Sequence, residues 1–137
     1  MSTNYRIPVP AVGFRPPVYI CRYNDKPFQL NGNLDKDFWK DIPFTDDFPD
    51  IEGAIRPVPR FRTRAKMAWD KENLYIGAVL EGDEIWAHQT EHDCVIFNDN
   101  DFEIFIDPDS DTQAYVEYEM NALNTTWDLL LTKAYRD

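Results

Sequence analysis

The sequence predicts an all-β fold, an antiparallel β-sandwich of jelly-roll-like arrangement, and three observations predict it. Short stretches alternate apolar and polar side chains with the period of two that a half-buried strand requires. Ten prolines against five glycines divide the 137 residues into brief elements joined by rigid loops. Hydrophobic residues at 43%, with 15% aromatic, are enough for one domain's core and too many for a disordered chain.

The elements follow in order. Pro8, Pro10, Pro16 and Pro17 exclude a helix and make residues 1–17 an extended arm. The domain then runs over 18–137, opening with a strand at 18–22. F-Q-L leads into the turn Asn31-Gly32, and Asp35 reads as the N-cap of one helical turn carrying Phe38 and Trp39. Residues 43–63, with Pro43, Pro49, Pro57 and Pro59, form a long loop. Next, Phe61, Thr63, Ala65, Met67 and Trp69 share the inner parity of a strand, while Arg60, Arg62, Arg64 and Lys66 form a basic outer ladder. Trp39 and Trp69 are thereby expected in the core.

Asp70-Lys71-Glu72-Asn73 closes a hairpin onto a strand at 74–80, and 84–92 is either a helical turn or a loop. A strand at 102–107 turns through D-P-D-S-D-T into a strand at 114–121 with Val116, Tyr118 and Met120 facing inward. The strand at 126–132 sets Trp127, Leu129 and Leu131 on its core face. The chain ends directly after this strand, which predicts a sandwich whose last strands lie outside it.

Charge narrows the partners. Residues 1–66 hold 11 Lys and Arg against 8 Asp and Glu, whereas residues 67–137 hold 3 against 17, for a net charge of −11. Binding to nucleic acid or an anionic membrane depends on neutralising phosphates with Lys and Arg, so neither is an expected partner. Neutral polar ligands and cations fit better. Cys21 and Cys94 stand in no metal-binding spacing and read as two buried thiols or one disulfide.

The densest chemistry lies in N-D-N-D-F-E-I-F-I-D-P-D-S-D, residues 98–111. If Asp107 pairs with Tyr115 across the turn, antiparallel register sets Phe105 opposite Glu117 and Glu103 opposite Glu119. Directly opposed carboxylates repel by a few tenths to ~1 kcal/mol, so a ligand, a cation or a raised pKa is expected there, unless the face is wet and shared with Arg64 and Lys66. Sugars match such a face, because aromatic rings stack on a pyranose while carboxylates and amides bind its hydroxyls. Trp86 and Phe97, in the irregular segment before the acidic strand, are placed to line it. The expected carbohydrate site is Trp86, Phe97, Glu103, Glu119 and Asn121.

Asp107, Asp109 and Asp111 occupy the first, third and fifth positions of a calcium loop, but Thr112 replaces its glycine and Tyr118 its bidentate glutamate. The pattern therefore argues against an EF-hand, and an Asp-rich hairpin turn ranks above a looser structural calcium site. His88-Gln-Thr-Glu91-His92 matches H-x-x-E-H, a zinc-hydrolase pattern that needs a stable helix and a third ligand. Glu103 with Glu119 also forms the minimum apparatus of a glycoside hydrolase. Both enzyme readings rank below binding, and no organic cofactor is expected.

Three ordered blocks, L-N-G-N-L-D-K-D-F-W (30–39), A-K-M-A-W-D-K-E-N-L-Y-I (65–76) and D-F-E-I-F-I-D-P-D (101–109), resemble the family 9 carbohydrate-binding modules. The resemblance implies a β-sandwich of the sugar- and haem-binding superfamily and a non-catalytic role in binding glucan- or xylan-type saccharides or their chain ends. It also implies structural calcium, an attached or associated glycoside hydrolase, and an extracellular or periplasmic location. Family members grip a terminal sugar between two tryptophans. Their strand glutamate matches Glu103, whereas a gapless count puts Phe97 at the first tryptophan and Glu119 near a sugar-binding arginine, both departures. The second tryptophan belongs to the part of the module beyond this chain. A haem-binding or electron-transfer domain is the alternative the superfamily offers, with Met67, Met120, His88 and His92 as the available ligand types.

Overall fold

In a computed structural model that describes residues 16–134, the chain forms two three-stranded sheets and two three-residue 3-10 turns, at Gly53–Ile55 and Ile96–Asn98. The all-β class expected from the alternating pattern is observed. Apart from Pro16 and Pro17, the proline-rich arm lies outside the described residues. Chain contacts divide the rest into two compact units that meet between Glu81 and Gly82.

The first unit is built on β1 (Arg22–Tyr23), β2 (Thr63–Trp69) and β3 (Leu74–Leu80). β2 and β3 form the expected hairpin, with Trp69 opposite Leu74. Asp70 closes it: its Oδ1 accepts the amides of Glu72 at 2.8 Å and Asn73 at 2.7 Å, and Tyr75 donates its hydroxyl to Oδ2 at 2.7 Å. The first strand is shorter and later than expected and pairs parallel to β2, Arg22 against Ala68. Residues 16–21 join no ladder, and Tyr19 is pinned by its hydroxyl to the Pro43 carbonyl at 2.7 Å.

Asp35 caps no helix. Its amide donates to Asn33 Oδ1, and the following residues make successive turns, Trp39 N to Lys36 O and Ile42 N to Trp39 O. These turns drop Phe38, Trp39 and Ile42 onto Ala68, with Phe28, Leu34 and Tyr75 around them. The rings meet edge to face, Phe38 with Trp39 at 4.9 Å and Phe28 with Phe38 at 4.8 Å, the arrangement their quadrupoles favour. Gly77 lets this cover approach the sheet, since a Cβ there would stand 2.4 Å from Leu34 Cδ2.

That cover reverses part of the expected β2 parity. Lys66, assigned to the outer ladder, is 7% exposed and donates its ammonium to the Trp39 carbonyl at 3.0 Å, above the Phe44 ring. Long basic stems can line an apolar surface while the charged head finds oxygen, so alternation alone misassigns them. Trp69, expected in the core, is 45% exposed at the strand end, edge-on to Tyr23.

The second unit is a meander of β4 (Asp101–Ile106), β5 (Tyr115–Asn121) and β6 (Thr126–Leu131). Its register is the expected one, Glu103 opposite Glu119 and Phe105 opposite Glu117. The buried side of β5 is not. Glu117, Glu119 and Asn121 are buried at 3%, 2% and 4%, while Val116 and Met120, assigned inward, are both 37% exposed. The 3-10 turn that carries the wholly buried Ile96 packs against β5. Cys21 and Cys94 are free thiols, each half-buried.

Candidate functional site

Direct partners across an antiparallel ladder point to the same side of a sheet. One face of the second unit therefore carries Asp101, Glu103 and Phe105 from β4, Glu117, Glu119 and Asn121 from β5, and Trp127 and Leu129 from β6. Trp127 stands opposite Glu119, not in a separate apolar core as its own strand's alternation implied. Its ring lies 5.9 Å from that of Phe97 at an interplanar angle of 35°. Phe97 is 58% exposed and Trp127 half-buried, so an aromatic pair with one ring open to solvent flanks the carboxylates.

Asp101, Glu103 and Glu119 each bring one carboxylate oxygen within 4.8 Å of the others. Glu103 opens to solvent, Asp101 is half-buried and Glu119 is buried. Asp101 and Glu119 approach to hydrogen-bonding contact. Asp101 Oδ2 and Glu119 Oε2 are nevertheless buried with no hydrogen-bond partner among the described residues. Two carboxylates are both acceptors, so a proton or a cation is needed between them. Burial first, and then the charges of Glu103, Asp101 and Glu117, push the Glu119 carboxyl up to about 7. Asp101 and Glu103 are raised as well, each chiefly by burial.

Asn121 belongs to the framework behind this cluster. Its Nδ2 donates to Gln89 O and Asp99 Oδ2, both at 2.9 Å, and its Oδ1 accepts the amides of Leu123 and Thr125, both at 3.0 Å. All four of its hydrogen-bonding positions are thus taken inside the protein. Asp99 Oδ2 also accepts the amides of His88 and Gln89, each at 2.8 Å. Burial raises the Asp99 carboxyl, but these hydrogen bonds outweigh it and leave the group below its ordinary value. Trp86 rides on the same segment with its ring 5.2 Å from His88.

Of the residues expected from sequence, the structure brings Glu103 and Glu119 together and sets Phe97 beside Trp127. Trp86 joins them only through the chain His88, Asp99, Asn121. Asp101 is not singled out by the sequence, and Trp127, a candidate stacking ring, is assigned by alternation to the core. Parity with Glu103 would have found the first, and carrying the β4–β5 register one strand further would have found the second.

The turn at residues 107–111 brings the Asp107, Asp109 and Asp111 carboxylates within 4.8 Å. Asp107 already accepts the amides of Ser110 at 3.0 Å and Thr112 at 2.8 Å, which, Thr112 first, hold its carboxyl below the ordinary value. Thr112, at the calcium-loop glycine position, has a left-handed φ of 66°. The H-x-x-E-H segment is a loop, not a helix. His88 faces Asp99 at 3.8 Å, whereas His92 Nδ1 contacts Thr126 O at 2.9 Å, so the imidazoles do not share the helical face a zinc hydrolase needs.

An all-β chain presenting carboxylates beside paired rings on a sheet face has the make-up of a sugar-binding module. Residues 30–135 match the carbohydrate family 9 binding domain-like family, and the chain belongs to it. Carbohydrate binding in general is the function that membership supports, within a family that is generally non-catalytic. Comparison with curated proteins and with solved structures returns no match.

Proposed function

We propose that the β4–β5–β6 face binds gluco- or xylo-oligosaccharides, or the ends of such chains, without turning them over. The observation that carries the reading is the placement of Trp127 directly across from Glu119 and beside Phe97. Phe97 and Trp127 supply ring faces for the C–H side of a pyranose, and Glu103, the solvent-open member of the carboxylate cluster, accepts its hydroxyl protons. Glu119 stands beside Glu103 across the ladder, and Asn121, through Gln89 and Asp99, holds the segment that carries Trp86, which this reading takes as a further ring.

Glu103 and Glu119 are read as ligands rather than as a hydrolytic pair because the family is generally non-catalytic. The same reading carries an attached or associated glycoside hydrolase and a place outside the cytoplasm where polysaccharide is met, whereas the calcium ion expected at Asp107, Asp109 and Asp111 is not part of it, because both Asp107 oxygens already accept backbone amides.

Calorimetric titration of cello- and xylo-oligosaccharides into the protein, Glu103→Ala and Trp127→Ala tests the site. Saturable binding by the parent, with a loss of tenfold or more in each variant, is expected. Equal binding by all three proteins would remove this face from the reading.

A further inference from the structure

We infer that Asp101, Glu103 and Glu119 hold a divalent cation of the calcium class. Three oxygens, one from each side chain, lie within 4.8 Å of one another, the spread that ligands at about 2.3–2.6 Å from a shared ion span. A second observation is independent of the clustering. Glu119 is 2% exposed and brings one carboxylate oxygen to Asp101 and Glu103, and its Oε2 is buried with no hydrogen-bond partner among the described residues. A buried carboxylate oxygen without a donor is costly, and oxygen that hard is best matched by a hard cation.

The donor set contains no nitrogen or sulfur, which disfavours zinc and copper. Calcium tolerates irregular oxygen cages, whereas magnesium demands a near-ideal octahedron. Two other acidic groups compare poorly. In the 107–111 turn, both Asp107 oxygens already accept backbone amides. His92, Asp93 and Asp128 are all exposed and include an imidazole.

The sheet builds the site without a loop. Glu103 and Glu119 are direct partners across β4 and β5, and Asp101 lies two residues before Glu103 on the same face. At the flank where Glu103 meets solvent, water completes the coordination, or sugar hydroxyls do so if the sugar reading above holds. The metal is titrated alone, so a failed sugar titration leaves the cation test intact.

Terbium, a luminescent substitute for calcium, reports the site because Trp127 stands across from Glu119 and can sensitise a nearby ion. Titration of the full chain is expected to give indole-sensitised emission that calcium displaces. Glu119→Gln and Glu103→Gln should each weaken calcium binding at least tenfold, while Asp109→Asn with Asp111→Asn leaves this signal unchanged. Glu103 is exposed, so its variant keeps the test open if Glu119→Gln fails to fold. Equal calcium affinity in Glu103→Gln and the parent, or a signal lost only in the turn variant, overturns the assignment.

Discussion

Trp127 stands directly across the β5–β6 ladder from Glu119, so an indole and a buried carboxylate share one face of the sheet. Its ring also meets Phe97 at 5.9 Å. If that pair forms the stacking wall, Trp127→Phe should retain most sugar affinity, because a ring face survives, while Trp127→Ala loses at least tenfold, about 1.4 kcal/mol. Isothermal titration of both variants measures the difference, and thermal melts exclude loss of fold as its cause. Similar affinity in Trp127→Ala and the parent would show that the indole does not stack on the ligand.

The raised carboxyls predict a stability that falls as pH rises. The Glu119 carboxyl titrates near 7 in the folded protein, above its ordinary value of 4.5, so the folded state holds the proton more tightly than the unfolded one. The stabilisation is complete below the unfolded value and is lost as pH climbs through about 7. Asp101 and Glu103, raised too, act with the same sign. With a chelator present, the melting temperature should decline between pH 5 and pH 8, and Glu119→Gln should flatten that decline. A melting temperature that rises over this interval in the parent contradicts the assignment.

The sequence made the β4–β5 register legible because a short acidic turn and a strict alternation of two leave few ways to pair the strands. Glu103 met Glu119 as expected. The sidedness of β5 was misread for a physical reason. Alternation assigns apolar residues to the interior, and this strand buries Glu117, Glu119 and Asn121 instead. Polar residues on the buried side are the kind of local contradiction that marks a site. Trp127 does share the inner face with Leu129 and Leu131, as alternation implies, but the β5 residues across from it and from Leu129 are Glu119 and Glu117, which only the register shows. Lys66 was lost differently, because nothing local announces that residues 34–44 fold over its strand.

Asn121 and Asp99 should behave as one unit. Asn121→Ala removes two donated and two accepted hydrogen bonds from a residue only 4% exposed, which should cost on the order of 3 kcal/mol. Asp99→Ala frees the amides of His88 and Gln89 and should cost a similar amount. Because the two side chains bond each other, the double variant should lose clearly less than the two single losses combined. Urea unfolding of the four proteins gives the cycle, and strict additivity would argue against a shared network.

Thr112 offers a test in which the expected change is stabilising. Its backbone has a φ of 66°, and a β-branched residue is strained there because Cβ crowds the carbonyl. Glycine lacks that clash but restricts the unfolded chain less, so Thr112→Gly should gain only about 0.5–1 kcal/mol. The Thr112 amide still donates to Asp107 in the variant, which preserves the turn that sets Glu103 opposite Glu119. Chemical denaturation reads the gain directly. A loss of stability would mean that the threonine methyl or hydroxyl contributes more to the turn than the strain removes.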